Sequence, residues 1–61
     1  MKLVLITTKG IKVRGKFYWG EFMKKIIGRT VNAATRNEDK EIIFVYNRDG
    51  GIFLGQAEEV K

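Results

Sequence analysis

Three basic residues alternate with apolar residues near the amino terminus, and side chains of this type bind anions. Lys12, Arg14 and Lys16 occupy every second position of residues 11–17. A period of two is typical of a strand with one buried face. We therefore expect the odd positions to enter a core and the three cations, followed by Tyr18, to line an outer face. This row spans about 13 Å at ~3.3 Å per residue, enough to meet two or three phosphates along one nucleic-acid strand.

Further residues extend the predicted anion-binding surface. Lys24, Lys25 and Arg29 come next in sequence, and Tyr18 is placed to stack on a base or to lie against a sugar. Residues 1–36 hold nine Lys or Arg and one acid, whereas residues 37–61 hold three Lys or Arg and six acids. Segregated positive charge favours a polyanionic partner such as nucleic acid. The alternative is a solvated outer face that keeps a small protein soluble.

The composition argues against catalytic chemistry. The chain of 61 residues has no cysteine and no histidine, which removes thiolate nucleophiles, disulfides and the commonest general base. The acids of the second half lie in or beside predicted turns and next to basic residues, as solvated charges do. They are Glu38, Asp39, Glu41, Asp49, Glu58 and Glu59. We expect no catalytic residue, no metal site and no cofactor.

Apolar segments of this chain are short. The longest runs, residues 3–6 and 42–46, are far shorter than a membrane span. We therefore expect no membrane partner. The expected location is the cytoplasm, with association to the nucleoid when the protein is bound to DNA.

Short strands separated by turns account for most of the sequence. Strands are predicted at residues 2–8, 11–17, 29–35, 41–47 and 52–56, with the first two pairing as a hairpin through Lys9 and Gly10. A helix of one to two turns is predicted at residues 21–27, ended by Gly28, and polar turns at residues 36–40 and 47–51. This pattern indicates one all-β domain over residues 1–61. Its expected architecture is a small barrel of five or six strands, with one short helix between the second and third strands.

Large aromatic side chains are the natural core of so small a protein. The aromatic residues predicted to be buried are Phe17, Trp19, Phe22, Phe44 and Phe53. Tyr18 is the aromatic residue that the alternating pattern places outside, and Tyr46 fits either position.

Glycines, aromatic residues and apolar residues at particular spacings carry a family resemblance. They are Gly10, Ile11, Val13, Gly15, Tyr18, Trp19, Phe22, Ile27, Gly28, Arg29 and Val31, followed by Asn37-Glu38-Asp39, Ile42, Val45, Tyr46, Asp49-Gly50-Gly51, Phe53 and Ala57. This pattern, over residues 10–57, resembles the C-terminal β-barrel of phage Mu-type (DDE) transposases and related insertion-sequence transposases. The resemblance implies a six-stranded, SH3-like barrel beside a catalytic domain that holds the metal-binding acids. It also implies a basic surface that binds DNA with little sequence preference and helps to organise the transposase–DNA complex.

The residues and the resemblance together predict a non-catalytic, largely sequence-independent DNA-binding module, a C-terminal fragment of a larger transposase. Its expected partners are the DNA phosphate backbone and the catalytic domain of the parent transposase or other transposase protomers. The predicted DNA contacts are Lys12, Arg14, Lys16, Tyr18, Lys24, Lys25 and Arg29. Two alternatives stay open: a free-standing SH3-like adaptor that binds protein through its aromatic residues, and an RNA-binding barrel from a phage or mobile element.

Overall fold

The computed structural model describes residues 2–35 and 41–61, which form one antiparallel sheet and one short helix. The elements in chain order are β1 (Lys2–Leu5), β2 (Ile11–Val13), β3 (Lys16–Trp19), a 3₁₀ helix (Glu21–Lys25), β4 (Thr30–Thr35), β5 (Ile42–Tyr46) and β6 (Phe53–Glu59). The strand order is β1-β4-β5-β6-β3-β2. The sheet curls so that its two edges meet near a bridge between Thr7 and Gly10, which nearly closes a barrel. The predicted all-β, SH3-like barrel is confirmed.

A two-residue turn splits the predicted strand at residues 11–17. Arg14 has φ 53° and Gly15 has φ 81°, the two positive values that a type I′ hairpin turn needs. β2 and β3 therefore pair with each other, Ile11 opposite Tyr18 and Val13 opposite Lys16. The single predicted strand is wrong. It becomes two, so the helix lies between the third and fourth strands.

The first strand also pairs differently from the prediction. β1 forms its ladder with β4, from Lys2 opposite Ala33 to Leu5 opposite Thr30. The predicted hairpin between the first two strands is therefore wrong, apart from the reciprocal backbone hydrogen bonds of Thr7 and Gly10 at 3.0 and 2.9 Å. β1 is an edge strand with Leu3 and Leu5 exposed on its outer face, and its pairing with β4 joins residues far apart in sequence.

The core is formed mostly by aliphatic side chains from the strands. Its buried members are Ile6, Ile11, Val13, Tyr18, Met23, Val31, Ala33, Ile43, Val45 and Ala57. Cross-strand partners in the sheet, such as Ala33 with Val45 and Ile43 with Ala57, share the inner face because directly opposed residues point the same way. The predicted inward positions of the third strand, Val31 and Ala33, are confirmed.

Four of the six aromatic predictions are wrong, because Tyr18 is buried and three side chains predicted to be buried do not belong to the core, Phe17, Phe44 and Phe53. Tyr18 is 1% exposed, so its predicted outer position is wrong. Phe53 is 52% exposed, so its predicted core position is wrong. Trp19 and Phe22 are partly buried against the core.

The helix and the turns between the strands can also be compared with the predictions. The helix predicted at residues 21–27 is present as the shorter 3₁₀ helix, which ends at Lys25 and not at Gly28. Gly28 has the predicted left-handed conformation, at φ 92°. The turn at residues 47–51 and the strand after it are confirmed, although β6 extends to Glu59. The predicted polar turn at residues 36–40 lies outside the described residues. Within the described ranges, no helix is long and apolar enough to cross a membrane.

Candidate nucleic-acid interface

The β2–β3 hairpin places its three cations in three different environments. Lys12 lies outside, opposite Phe17, with its Nζ 5.9 Å from the centre of that ring. Arg14 occupies the exposed tip of the turn. Lys16 lies opposite the inward-facing Val13, on the other face of the hairpin from Lys12. The expectation of one row along one strand face is therefore wrong, because the turn changes which residues share a face.

Lys16 is held beside acidic residues. Its Nζ lies 3.7 Å from Oε1 of Glu59, whose side chain is 18% exposed. Glu59 also lines an acidic cleft with Glu41 and Glu58 at the same end of the barrel. A phosphate approaching Lys16 would meet this negative charge, whereas Lys12 and Arg14 have no ion pair among the described residues.

Arg14 shares a cleft with a cation from the first strand. Lys2, at the start of β1, lines this cleft of about 340 Å³ together with Arg14 and Thr35. The near-closure of the barrel between β1 and β2 brings the two cations together. Lys2 was not among the predicted contacts, because the predicted pairing of the first strand did not bring it near Arg14.

The other predicted cations lie beyond the far end of β3. Lys24 and Lys25 form the last turn of the 3₁₀ helix and are exposed. Arg29 follows Gly28 and is also exposed, immediately before β4. The hairpin turn precedes β3 and the helix follows it, so the six predicted cations form two groups at opposite ends of this strand.

Arg29 lines a groove with a second arginine, Arg48, from the β5–β6 turn. The groove has a volume of about 540 Å³, and its apolar walls include Ile26 and Leu54. Neither arginine has an ion pair among the described residues. Arg48 was not among the predicted contacts, because it comes from the half of the sequence that has more acids than bases. The antiparallel pairing of β4 with β5 brings it next to Arg29.

Hydrogen bonds fix the backbone on both sides of this groove. Asn32 Nδ2 donates to the carbonyl oxygen of Arg48 at 2.6 Å. The Oδ1 of Asn47 accepts from the backbone N–H groups of Gly51 and Ile52, at 2.9 and 3.1 Å. On the other wall, the N–H of Ile6 donates to the carbonyl of Arg29 at 3.0 Å. Both arginines therefore project from backbone that is already ordered.

A partly exposed aromatic cluster covers the outer face of β5 and β6. The ring of Phe53 lies 5.5 Å from that of Tyr46 and 6.2 Å from that of Phe44. Residues 43 and 45 point into the core, so the alternation of β5 sends the aromatic residues on either side of Val45 outward. Ile42 and Glu58 continue this face towards the acidic cleft.

Most of the chain matches a known protein family. Residues 2–56 match the family described as Mu transposase, C-terminal. The chain belongs to this family. No curated protein and no solved structure matches the chain.

In this Mu transposase C-terminal domain, the predicted site residues differ in their access to a ligand. Six are exposed cations: Lys12, Arg14, Lys16, Lys24, Lys25 and Arg29. The seventh, Tyr18, is buried, and we leave it out of the candidate interface because its ring cannot reach a base or a sugar. We add Lys2 and Arg48 to the candidate interface, because each lines a cleft together with a predicted cation.

Acidic residues of this Mu transposase C-terminal domain do not assemble a metal site in the part of the chain that the structure describes. Glu41 pairs with Lys61 at 3.5 Å and Glu59 with Lys16 at 3.7 Å. The described carboxylates that line the acidic cleft are thus balanced at least in part by lysines.

Proposed function

We propose that this chain is a non-catalytic module that binds the DNA phosphate backbone with little sequence preference and helps to assemble a transposase–DNA complex. Membership of the Mu transposase C-terminal family supports its place in a transposase. The observation that carries the DNA-binding role is that, of the six exposed cations predicted as contacts, only Lys16 has an ion pair among the described residues. Cations without an internal ion pair are available to replace the counterions of a phosphate chain.

The shape of the charged surface supports backbone contact rather than sequence reading. The cations are carried by the three-residue β2, the two-residue turn, the first residue of β3, a five-residue 3₁₀ helix and the residue before β4, which are all short segments. Reading base edges takes a helix or a two-stranded ribbon that enters the major groove. The β2–β3 hairpin has only three and four residues in its strands, so it reaches phosphates more readily than base edges.

The aromatic cluster of β5 and β6 supports a second partner, which we propose to be another part of the same transposase, the catalytic domain or a second protomer. Phe44, Tyr46 and Phe53 form an apolar centre, and Glu58 lies on the same outer face. This combination is complementary to a protein surface with apolar residues and a basic rim, because acids beside a platform repel phosphates. The protein partner would then contact the outer face of β5 and β6.

A salt titration of binding to a random-sequence DNA duplex tests the DNA-binding role. The logarithm of the association constant should fall against the logarithm of the salt concentration, with a slope of about −0.9 per neutralised phosphate. Changing Lys12, Arg14 and Lys16 together to Ser should flatten this slope by about two to three. Circular dichroism of the same variant should show an unchanged fold, because all three side chains are exposed.

Matched single variants sharpen this test. Arg14→Ser should flatten the slope by about 0.9, whereas Lys61→Ser should leave it unchanged. Lys61 is also an exposed cation, but it pairs with Glu41 in the acidic cleft. Absence of salt-dependent duplex binding would replace this proposal with the adaptor alternative. Tighter binding to an RNA duplex than to a DNA duplex of the same sequence would favour the RNA-binding alternative.

A further inference from the structure

We propose that the groove between Arg29 and Arg48 is a defined binding site for a phosphate group of the DNA backbone. The inference rests on the proposed DNA-binding function and adds to it a specific site and a contact residue, Arg48. Arg29 and Arg48 come from parts of the chain that are 19 positions apart, and the groove is the place where they meet.

The charge of this groove is the first reason. Two arginines are among the residues that line the groove, and no carboxylate is among them. Neighbouring like charges repel unless an anion lies between them, and an arginine can grip a phosphate through two parallel hydrogen bonds. A phosphate between Arg29 and Arg48 would therefore relieve the repulsion and satisfy both donors.

The apolar walls are the second reason. Ile26, Val31 and Leu54 line the groove together with the two arginines. Charge interactions strengthen where apolar side chains displace water and lower the local dielectric response. The same two arginines on a fully solvated strand face would gain less from each phosphate contact.

The ordered backbone is the third reason. The carbonyl of Arg48 is held by Asn32, and both the N–H and the carbonyl of Arg29 are hydrogen bonded, to Ile26 at 3.2 Å and Ile6 at 3.0 Å. Gly28 borders the groove without a side chain, which leaves room for a backbone of another molecule. A site that is ordered before binding loses less conformational entropy when the ligand arrives.

The site lies far from the cations of the β2–β3 turn. Thr30 lines the arginine groove, and Thr35 lines the cleft of Arg14 and Lys2. These two threonines are the ends of β4, so the two basic clefts are about 17 Å apart at ~3.4 Å per residue. The groove is therefore a separate contact whose contribution can be removed without touching the hairpin.

Two double variants test the site against a random-sequence DNA duplex. Arg29→Ser with Arg48→Ser should flatten the salt slope by about 1.8, since two phosphate-neutralising charges are lost. Arg29→Lys with Arg48→Lys keeps both charges, so the slope should be retained while affinity falls by roughly tenfold, because lysine lacks the planar fork that grips phosphate. A general attraction between a basic protein and DNA would leave the lysine variant as tight as the wild type, and that result would overturn the site.

Nuclear magnetic resonance with the same duplex locates the contact in the wild-type protein. Backbone amide shifts of Gly28, Arg29 and Arg48 should move along with those of the hairpin residues. If the duplex binds with a steep salt slope but these amide shifts do not change, the proposed phosphate site is wrong and the proposed DNA-binding function still holds. If the wild type binds no duplex, both the proposed function and the proposed phosphate site are wrong.

Discussion

Ile11 and Tyr18 face each other across the β2–β3 hairpin, and both side chains lie in the core. The turn of Arg14 and Gly15 contains two residues, so positions at equal distance from it share a face of the hairpin. The buried positions therefore change from odd numbers in β2 to an even number in β3. This change moves Tyr18 from the predicted interface to the interior, and it separates Lys12 from Lys16.

Tyr18 should contribute far more to stability than Phe53. Tyr18→Ala removes a ring that is 1% exposed and should lower the free energy of unfolding by about 3–5 kcal/mol, enough to unfold much of a small protein. Phe53→Ala removes a ring that is 52% exposed and packs on two aromatic neighbours, with an expected loss of about 1–2 kcal/mol. Urea denaturation followed by circular dichroism measures both. A larger loss for Phe53→Ala would contradict the hairpin register.

Gly15 should be sensitive to substitution because of its left-handed backbone conformation and not because of neighbouring atoms. Gly15→Ala should lower the free energy of unfolding by about 1–2 kcal/mol, because φ 81° is strained for a residue with a Cβ. Gly51→Ala is the matched control. A Cβ at either glycine meets nothing within 4 Å, but Gly51 is not in the left-handed region. The control should be neutral or stabilising by about 0.4–1 kcal/mol. Equal effects at both positions would argue for a continuous strand through residue 15.

Patterns within single strands were sufficient to predict much of this fold. Alternation placed Val31 and Ala33 inward, and the position of Gly28 after an apolar run predicted its left-handed conformation. The hairpin turn at Arg14 was not predicted, because arginine rarely adopts positive φ. A turn with a non-glycine residue in that conformation leaves little trace in the alternation of polar and apolar residues.

The candidate site was harder to predict from the sequence than the fold, because strand pairing brings its residues together. The charge excess of the amino-terminal half was visible in the sequence, and the six cations predicted as contacts are exposed as expected. Lys2 and Arg48 became visible only through the pairing of β1 with β4 and of β4 with β5. Such partners are set by the barrel topology, and local sequence carries no signal for which strand will lie beside which.

Gly10 is required by the close approach of another backbone. A Cβ at Gly10 would collide with the carbonyl oxygen of Tyr18, so Gly10→Ala should lower the free energy of unfolding by about 3 kcal/mol or more. Gly28→Ala is the control, because φ is similar, at +92° against +100°, while nothing lies within 4 Å of its Cβ. That control should lose about 1–2 kcal/mol through backbone strain alone. Thermal denaturation of the two variants side by side gives the comparison, and equal losses would mean that β3 does not pass beside Gly10.

Glu59 should restrain the contribution of Lys16 to DNA binding. Glu59→Gln removes the carboxylate that lies 3.7 Å from the lysine, so duplex affinity at low salt should rise a few-fold, with a salt slope steeper by up to about 0.9. Stability should change by less than about 1 kcal/mol, because Lys16 is largely solvated and such pairs contribute little. Glu41→Gln makes the same change in net charge within the same cleft but disturbs the pair with Lys61 instead. If both variants raise the affinity equally, the cause is net charge, and Lys16 makes no phosphate contact of its own.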